Sequence, residues 1–139
     1  MPIRILIVAL MVMSATIAAA AGYRYVSAEQ FRAWQESGRK TIIVDIQVPA
    51  EFEKRHLTGA IETNAYPVKT DEEKARIAKT LATIKASRDD VVIVCPRGGG
   101  GAKNTYDYLK GQGVDEQRLY ILEKGMEGWP YPEACATGR

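Results

Sequence analysis

The sequence predicts a single α/β domain whose central parallel sheet is covered by helices on both faces. The first observation is a set of three short runs of apolar and β-branched residues, at 41–46, 91–94 and 119–122, which is the composition of buried strands. The second is that segments of helical character separate these runs, as crossover connections between parallel strands require. The third is the composition: 139 residues, 46% hydrophobic and 26% charged, suit one globular domain.

Residues 1–21 have the pattern of a secretory signal peptide. One cation, Arg4, precedes an apolar run, and the alanines at 18–21 end it. We therefore assign residues 1–21 to a signal peptide and 22–139 to the folded domain. The alternative is an uncleaved membrane anchor, because the stretch from Ile5 to Ala21 is only slightly shorter than the roughly 20 residues of a membrane span. In both cases we expect export, to a bacterial periplasm, where a pair of thiols can oxidise.

A capped helix is predicted at the start of the domain. Ser27 and Gln30 have the spacing of a capping box, and Gly38 is a typical helix end. Phe31 and Trp34 then fall on one face of this helix. Both tryptophans of the chain are expected to pack in or around the core rather than to bind a ligand.

Three more helices fill the predicted crossovers. Residues 49–55 suit one or two helical turns with a proline at the start. Asp71 is predicted to cap a charged helix in which Ile77, Leu81 and Ile84 recur at helical spacing. The last helix is predicted between the second and third strands, from Ala102 to about Lys110.

The composition excludes several kinds of chemistry. Two cysteines, Cys95 and Cys135, and one histidine, His56, are too few for a four-ligand zinc site or a dense disulfide scaffold. A Ser-His-Asp hydrolase would have to use His56. The 19 basic and 17 acidic residues give a net charge of +2, so nucleic acid is not an expected partner. We expect neither a metal nor a cofactor.

The most informative place in the sequence is the turn after the second predicted strand. Cys95 stands at the carboxyl end of this strand, the edge at which open α/β sheets bind ligands. The loop that follows carries one cation and four glycines: Arg97, Gly98, Gly99, Gly100 and Gly101. Glycines let successive backbone N–H groups converge, and the next helix adds free N–H groups, so the loop predicts a nest for an anion. That anion is the Cys95 thiolate or a negative sulfur attached to it, and no histidine is needed to deprotonate the thiol.

Other interpretations of this loop are open. The glycines can form a flexible turn, with Cys95 as a small buried hydrophobic residue. A phosphate-binding P-loop is less favoured, because no G-K-[ST] follows the glycines.

A family pattern runs through three stretches of the chain in order. The first begins at Ile43 and ends at Ile61, the second is the strand and loop at Cys95, and the third covers 122–129. They resemble the D-x-R, E-[FY] and G-H-I-x-G-A-I stretch, the cysteine loop and the closing L-x-G-G-x-x-x-W of the rhodanese family of single-domain sulfurtransferases. The resemblance covers about Val26 to Pro132 and implies a rhodanese-like fold.

The resemblance also implies an activity and a site. In rhodaneses the loop cysteine accepts a sulfane sulfur, becomes a persulfide, and passes the sulfur to a nucleophile such as cyanide or a thiol. Carried onto this sequence, Cys95 is the catalytic residue, and the loop amides from Arg97 to Gly101 bind the persulfide. The expected partners are a small sulfur-containing donor and a thiol or cyanide acceptor, with a membrane involved only if the leader is uncleaved. His56 is expected to fix its loop by a hydrogen bond rather than to act in catalysis.

Two positions depart from the family pattern. Many rhodaneses have C-x-x-G-x-R-[ST], with an arginine that helps to hold the sulfonate of thiosulfate, whereas this chain has Gly100 there and only Arg97 inside the loop. Since an Arg-to-oxyanion contact is strong, the donor is expected to be either thiosulfate or a polysulfide or protein persulfide that lacks the sulfonate. The second departure is Gln47 in place of arginine, so the family's ion pair with Asp45 is predicted to be absent, and Asp45 is expected to accept hydrogen bonds from loop amides.

Two competing functions follow from the same resemblance. Cell-cycle phosphatases share this fold, but their chemistry needs an arginine six positions after the cysteine, and position 101 is glycine. The other is a non-catalytic binding or redox module with Cys95 blocked or bonded to Cys135. Cys135 lies past the last family motif and is either such a disulfide partner, a free exposed tail thiol or part of an intermolecular bridge.

Overall fold

The computed structural model describes residues 22–139, so the predicted signal peptide lies outside the described residues. This part of the chain contains a five-stranded sheet and a separate two-stranded ladder. In chain order the strands and helices are β1 (Tyr25–Val26), α1 (Ala28–Glu36), β2 (Thr41–Asp45), α2 (Pro49–Lys54), β3 (His56–Leu57), β4 (Ile61–Glu62), α3 (Asp71–Ala78), α4 (Leu81–Lys85), β5 (Asp90–Val94), α5 (Gly100–Gly111), β6 (Leu119–Leu122) and β7 (Cys135–Ala136), with 3-10 turns at Glu116–Arg118 and Pro132–Ala134. None of the described helices is long and apolar enough to cross a bilayer.

The large sheet is parallel throughout, in the order β1-β6-β5-β2-β4. Its three central strands are the three predicted runs. β2 and β5 pair over their whole length, from Thr41 with Asp90 to Asp45 with Val94. Because the strands are parallel, their carboxyl ends share one edge, and β5 delivers the residue after Val94 to the middle of that edge. The fold class expected from the sequence is confirmed.

Both faces of the sheet are buried, which is why the strand runs show no polar alternation. Along β5, Val91 and Ile93 face a cluster built with helices α3, α4 and α5, while Val92 and Val94 face the opposite way. The second cluster includes Phe31 of α1 together with Leu57, Leu122, Met126 and Trp129. Trp129 is a core residue, as predicted, since it is almost fully buried.

The short strands escaped prediction. β1 and β4 have two residues each and pair with β6 and β2 at the sheet edges. β3 and β7 form the separate antiparallel ladder, in which Leu57 pairs with Cys135. Two-residue runs carry no periodicity, so only their partners identify them as strands.

The first helix agrees with the sequence. Ser27 is its N-cap, and the Gln30 N–H donates to Ser27 Oγ at 3.1 Å. Phe31 is buried and packs edge-on against Trp34 at a ring separation of 6.2 Å. Gly38 follows the helix end in the left-handed conformation, with φ +79°.

Two helix predictions were wrong in detail. Thr70, not Asp71, caps the charged helix, because Thr70 and Glu73 form a complete capping box. The helix also divides in two at Thr80, whose N–H and Oγ1 both donate to the Ile77 carbonyl, at 2.9 and 2.8 Å. The last helix begins at Gly100 rather than Ala102. Glycine is tolerated in the first turn of a helix, because the N–H groups of that turn have no intrahelical partner.

The corrected cap gives a direct test. Thr70→Ala should lower the free energy of unfolding by about 1 kcal/mol, because it removes the hydroxyl that accepts from the Glu73 N–H. Asp71→Ala is the matched control and should lower the free energy of unfolding by less, about 0.5 kcal/mol, since that side chain contributes only a favourable interaction with the helix dipole. Urea unfolding measures both; a larger loss for Asp71→Ala would contradict the assignment of the cap.

Candidate active site

A cleft of about 690 Å³ opens at the carboxyl edge of the large sheet. Cys95 lies on its wall directly after β5, with only 2% of the residue exposed. Loop glycines and the N-terminal end of α5 form one side of the cleft. Helix α2 and the segments after β2, β4 and β6 complete its lining. The fold therefore places a nearly buried thiol where a small part of a ligand can reach it.

The Cys95 sulfur is held by the backbone of its own loop. The Gly98 N–H donates to Cys95 Sγ at 2.8 Å. Gly98 adopts φ +75°, and a Cβ on it would lie 3.0 Å from both the Leu122 carbonyl oxygen and the Lys124 nitrogen. This amide can therefore point at the sulfur only if residue 98 is glycine. Such a donor stabilises a negative sulfur, either the thiolate or a persulfide carried on it.

The predicted site residues lie together around this sulfur. Arg97, Gly99, Gly100 and Gly101 line the same cleft as Cys95. Gly101 is packed, since a Cβ there would lie 2.9 Å from the Tyr66 ring. A Cβ at Gly99 or at Gly100 would meet nothing within 4 Å. Two of the four glycines are thus required by the backbone or the packing, and the other two have open space where a Cβ would lie.

The Arg97 side chain is exposed and paired with a carboxylate. It is 79% exposed, and its Nε lies 3.3 Å from Glu127 Oε1. Arg97 therefore contributes its backbone to the site, and its side-chain charge is already paired with Glu127.

The turn after β6 holds the cysteine loop from behind. The Met126 N–H donates to the Cys95 carbonyl and the Glu127 N–H to the Pro96 carbonyl, each at 2.9 Å. Gly125 has φ +56°, and a Cβ on it would lie 2.1 Å from the Cys95 carbonyl oxygen. The close approach of these two backbones fixes the direction of the loop and so the position of the sulfur.

Arg55 joins α2 to this same turn. Its Nη1 donates to the Trp129 carbonyl at 3.2 Å, and its Nη2 donates to the Met126 carbonyl. Sequence reasoning missed this role. The only signal was that arginine stands where the family stretch G-H-I-x-G-A-I has glycine.

A buried carboxylate lies under the other wall of the cleft. Asp45 is fully buried and accepts from the Gln47 N–H at 2.8 Å and from Gln47 Nε2 at 2.9 Å. Gln47 Nε2 also donates to the Arg55 carbonyl at 3.2 Å. The expected bonds to amides are present, but they support the segment after β2 rather than the cysteine loop. Burial raises the pKa of Asp45 to about 6, although the two hydrogen bonds from Gln47 and the nearby His56 act to lower it. Gln47 supplies only neutral donors where the family has a cation.

His56 has the structural role expected for it. Its Nδ1 lies 2.8 Å from the Phe52 carbonyl oxygen, and its ring stacks on that of Phe52 at 3.8 Å. The residue lies outside the lining of the cleft.

The two cysteines are free thiols in different parts of the domain. Cys95 belongs to the cluster on the α5 side of the sheet, and Cys135 packs against the cluster on the opposite face. Cys135 Sγ donates weakly to the Tyr131 carbonyl at 3.6 Å. Burial raises the pKa of the Cys135 thiol, which favours its neutral form. The structure therefore contains no Cys95–Cys135 disulfide among its described residues.

Comparison with known proteins identifies the family. The model of the Rhodanese-like domain matches residues 27–130. The chain belongs to the rhodanese-like domain family. A comparison with curated proteins gives no significant match.

Solved rhodanese-like structures share the fold at low sequence identity. A rhodanese-like domain protein from Staphylococcus aureus is 20% identical, with a TM-score of 0.63 and coverage of 84% of this chain and 99% of that one. A yeast protein tyrosine phosphatase of the rhodanese family is 14% identical, with a TM-score of 0.64 and coverage of 84% and 94%. An As-Sb reductase from Leishmania major is 18% identical, with a TM-score of 0.61 and coverage of 84% and 86%. Since the rhodanese-like fold serves several activities, the site must decide among them.

The glycine loop yields a stability prediction. Gly98→Ala should destabilise the domain by about 2 kcal/mol, because a side chain at φ +75° is strained and crowds two backbone atoms. Gly100→Ala, in the first turn of α5 with open space around it, should keep or slightly raise stability. Thermal unfolding of both variants tests this; a Gly98→Ala variant as stable as Gly100→Ala would support the flexible-turn interpretation instead.

Asp45 yields a pH prediction. Its folded-state pKa of about 6 lies above the ordinary 3.8, so the folded protein binds this proton more tightly than the unfolded chain does. The stabilisation linked to that proton is complete below pH about 4 and is lost by pH about 6, a change of up to about 3 kcal/mol. Asp45→Asn should therefore gain stability relative to the wild type as the pH rises from 4 to 7. Urea unfolding at several pH values measures this, with the exposed Asp71→Asn as control; parallel profiles for Asp45→Asn and wild type would contradict it.

Proposed function

We propose that the protein is an exported sulfurtransferase that carries sulfane sulfur as a Cys95 persulfide, from thiosulfate or a polysulfide to a thiol or cyanide. The observation that carries the proposal is the hydrogen bond of 2.8 Å from the Gly98 N–H to Cys95 Sγ at the wall of an open cleft. Export, to a bacterial periplasm, rests on the signal-peptide pattern of residues 1–21.

The first half-reaction loads the cysteine. The Cys95 thiolate attacks the outer sulfur of the donor and forms a new S–S bond, while the bond between that sulfur and the rest of the donor breaks. The bonding pair leaves with the donor remnant, as sulfite from thiosulfate or as a shortened polysulfide. In this proposal the loop amides from Arg97 to Gly101 bind the transferred sulfur, and the Gly98 N–H is the donor already in contact with Cys95 Sγ. No external oxidant or reductant is needed.

The second half-reaction unloads it. Cyanide or a thiolate attacks the outer sulfur of the persulfide, the S–S bond to Cys95 breaks, and the electron pair leaves with the Cys95 thiolate. The product is thiocyanate from cyanide, or a new persulfide from the thiolate. The leaving thiolate returns to the Gly98 N–H, so the same donor stabilises the anion before and after transfer. No histidine is required in either step, which agrees with the position of His56 outside the cleft.

The phosphatase alternative lacks support at the residue level. A phosphoryl group needs cationic donors around its oxygens, and the position six residues after Cys95 is Gly101, packed against Tyr66. The likeness to a yeast tyrosine phosphatase is one of fold only. The non-catalytic alternative has Cys95 blocked or bonded to Cys135, and the position of Cys135 outside the lining of the cleft disfavours the disulfide form.

Intact-mass spectrometry tests the proposal. The reduced protein incubated with thiosulfate or inorganic polysulfide should gain about 32 Da, one sulfur atom, and lose it on addition of cyanide. Cys95→Ser should abolish the gain, and Cys135→Ser is the matched control that should retain it. A reduced wild-type protein that gains no sulfur from either donor would refute the sulfurtransferase function.

A further inference from the structure

The turn after β6 reverses the chain with an unusual backbone. Lys124 and Gly125 follow one another in the left-handed conformation, with φ +64° and +56°. A residue with a side chain, such as Lys124, adopts this conformation only rarely, because its Cβ crowds the backbone. Contacts from neighbouring segments can therefore decide whether the turn keeps this shape.

One peptide group of this turn is held on both sides. The carbonyl of Met126 and the N–H of Glu127 belong to the same peptide group, which is planar. Arg55 Nη2 donates to this carbonyl, while the N–H on the other side donates to the Pro96 carbonyl at 2.9 Å. Because both groups belong to one rigid plane, the bond to Arg55 also fixes the direction in which the Glu127 N–H points.

The second bond of Arg55 holds the end of the same turn. Its Nη1 donates to the Trp129 carbonyl at 3.2 Å, and the Trp129 N–H donates to the Met126 carbonyl at 3.1 Å. The guanidinium is planar and carries its donors in fixed directions. A single side chain therefore fixes both carbonyls relative to each other.

The backbone of Arg55 is anchored in turn. Arg55 is the C-cap of α2, and its N–H donates to the Glu51 carbonyl at 3.1 Å. Its carbonyl accepts from Gln47 Nε2 at 3.2 Å, and the same amide group donates to the buried carboxylate of Asp45 at 2.9 Å. The guanidinium thus extends from a backbone position that is connected to the end of β2.

The cysteine loop carries the effect of this contact to the sulfur. The carbonyls of Cys95 and Pro96 accept from the amides of the turn, and the ring of Pro96 restricts its φ. Gly98 lies two residues after Pro96, and its nitrogen is 2.8 Å from Cys95 Sγ. A change in the direction of the Pro96 carbonyl would therefore move the Gly98 N–H away from the sulfur.

We propose that Arg55 is a positioning residue, which keeps the Gly98 N–H directed at the Cys95 sulfur by fixing the peptide between Met126 and Glu127. In this role Arg55 needs no contact with a sulfur donor or acceptor. The role belongs to this chain rather than to the family pattern, which has glycine at this position. Its importance for sulfur transfer rests on the proposed function, whereas its effect on the Cys95 thiol does not.

The pH profile of Cys95 alkylation tests the proposal. Iodoacetamide reacts with the thiolate, so the rate follows the ionised fraction of the thiol, and a Cys135→Ser background restricts the reaction to Cys95. Arg55→Met keeps an apolar stem and removes both donors. The pH of half-maximal rate should rise by about one pH unit, because weakening the hydrogen bond to the charged sulfur reduces ionisation about tenfold. Intact mass measures the rate.

Arg118 provides a matched control for stability. Its Nε donates to the Asp89 carbonyl and its Nη2 to the Ile84 carbonyl, each at 2.8 Å, beside the amino end of β6. Arg118→Met therefore removes the same kind of contact and should lower thermal stability without changing the alkylation profile. Arg55→Lys keeps a cation that can donate to a carbonyl, so its half-maximal pH should lie between those of the wild type and Arg55→Met. If Arg55→Met fails to fold, Arg55→Lys carries the test.

Three results would overturn the positioning role. The first is an alkylation rate that falls by the same factor at every pH, or not at all, since the ionisation of Cys95 would then be unchanged. The second is an equal shift in Arg118→Met, which would indicate general destabilisation. The third is a shift that disappears in about 1 M NaCl, where the Debye length is about 3 Å, because Arg55 would then act only as a distant charge.

Sulfur loading separates this role from the activity itself. The Arg55→Met protein should gain sulfur from inorganic polysulfide about tenfold more slowly than the wild type near pH 7, since less of its Cys95 is ionised. Above the midpoints of both profiles the two proteins should load at similar rates. A wild-type protein that gains no sulfur would refute the proposed function, while the alkylation profile would still decide the role of Arg55.

Discussion

The close contact between two backbones, the cysteine loop and the turn after β6, is the constraint on which the site depends. Two amides of the turn bind two carbonyls of the loop, and each segment contributes one left-handed glycine, Gly98 and Gly125, at the point of contact. The sulfur is therefore oriented by main-chain hydrogen bonds. A site of this kind needs few special side chains, which accounts for how little of its chemistry is visible in the composition. The most damaging substitutions are therefore expected at glycines such as Gly98 and Gly125, which carry no functional group.

The parts of the fold that could be predicted are those whose information is local. β2, β5 and β6 are buried on both faces, so their continuous apolar runs identified them. The two-residue strands β1 and β4 exist because longer neighbours hold them in register. Thr70 and Asp71 are both acceptable caps by residue type, and only the backbone chooses between them.

The residues of the site also divide into those that the sequence predicts and those that only the folded structure reveals. Cys95 and its four glycines lie close together in the chain, so the sequence alone was enough to predict that they share one loop. Val48 and Arg55 flank helix α2, whereas Tyr66 and Met126 come from two other segments, so the cleft forms only when these three parts of the chain fold together. Gln47 could be recognised as a departure from the family, but its substitution of amide bonds for an ion pair, and the resulting raised pKa of Asp45, needed the geometry.

The placement of Cys135 behind the sheet bears on the lifetime of a loaded sulfur. Cys135 does not line the cleft at Cys95, and it packs against the opposite face of the sheet with a raised pKa. Under the proposed function, a persulfide on Cys95 would therefore have no neighbouring thiol in the described cleft lining with which to form a disulfide. Its release would then depend on an outside nucleophile, so the concentration of the acceptor would set how long the sulfur is stored.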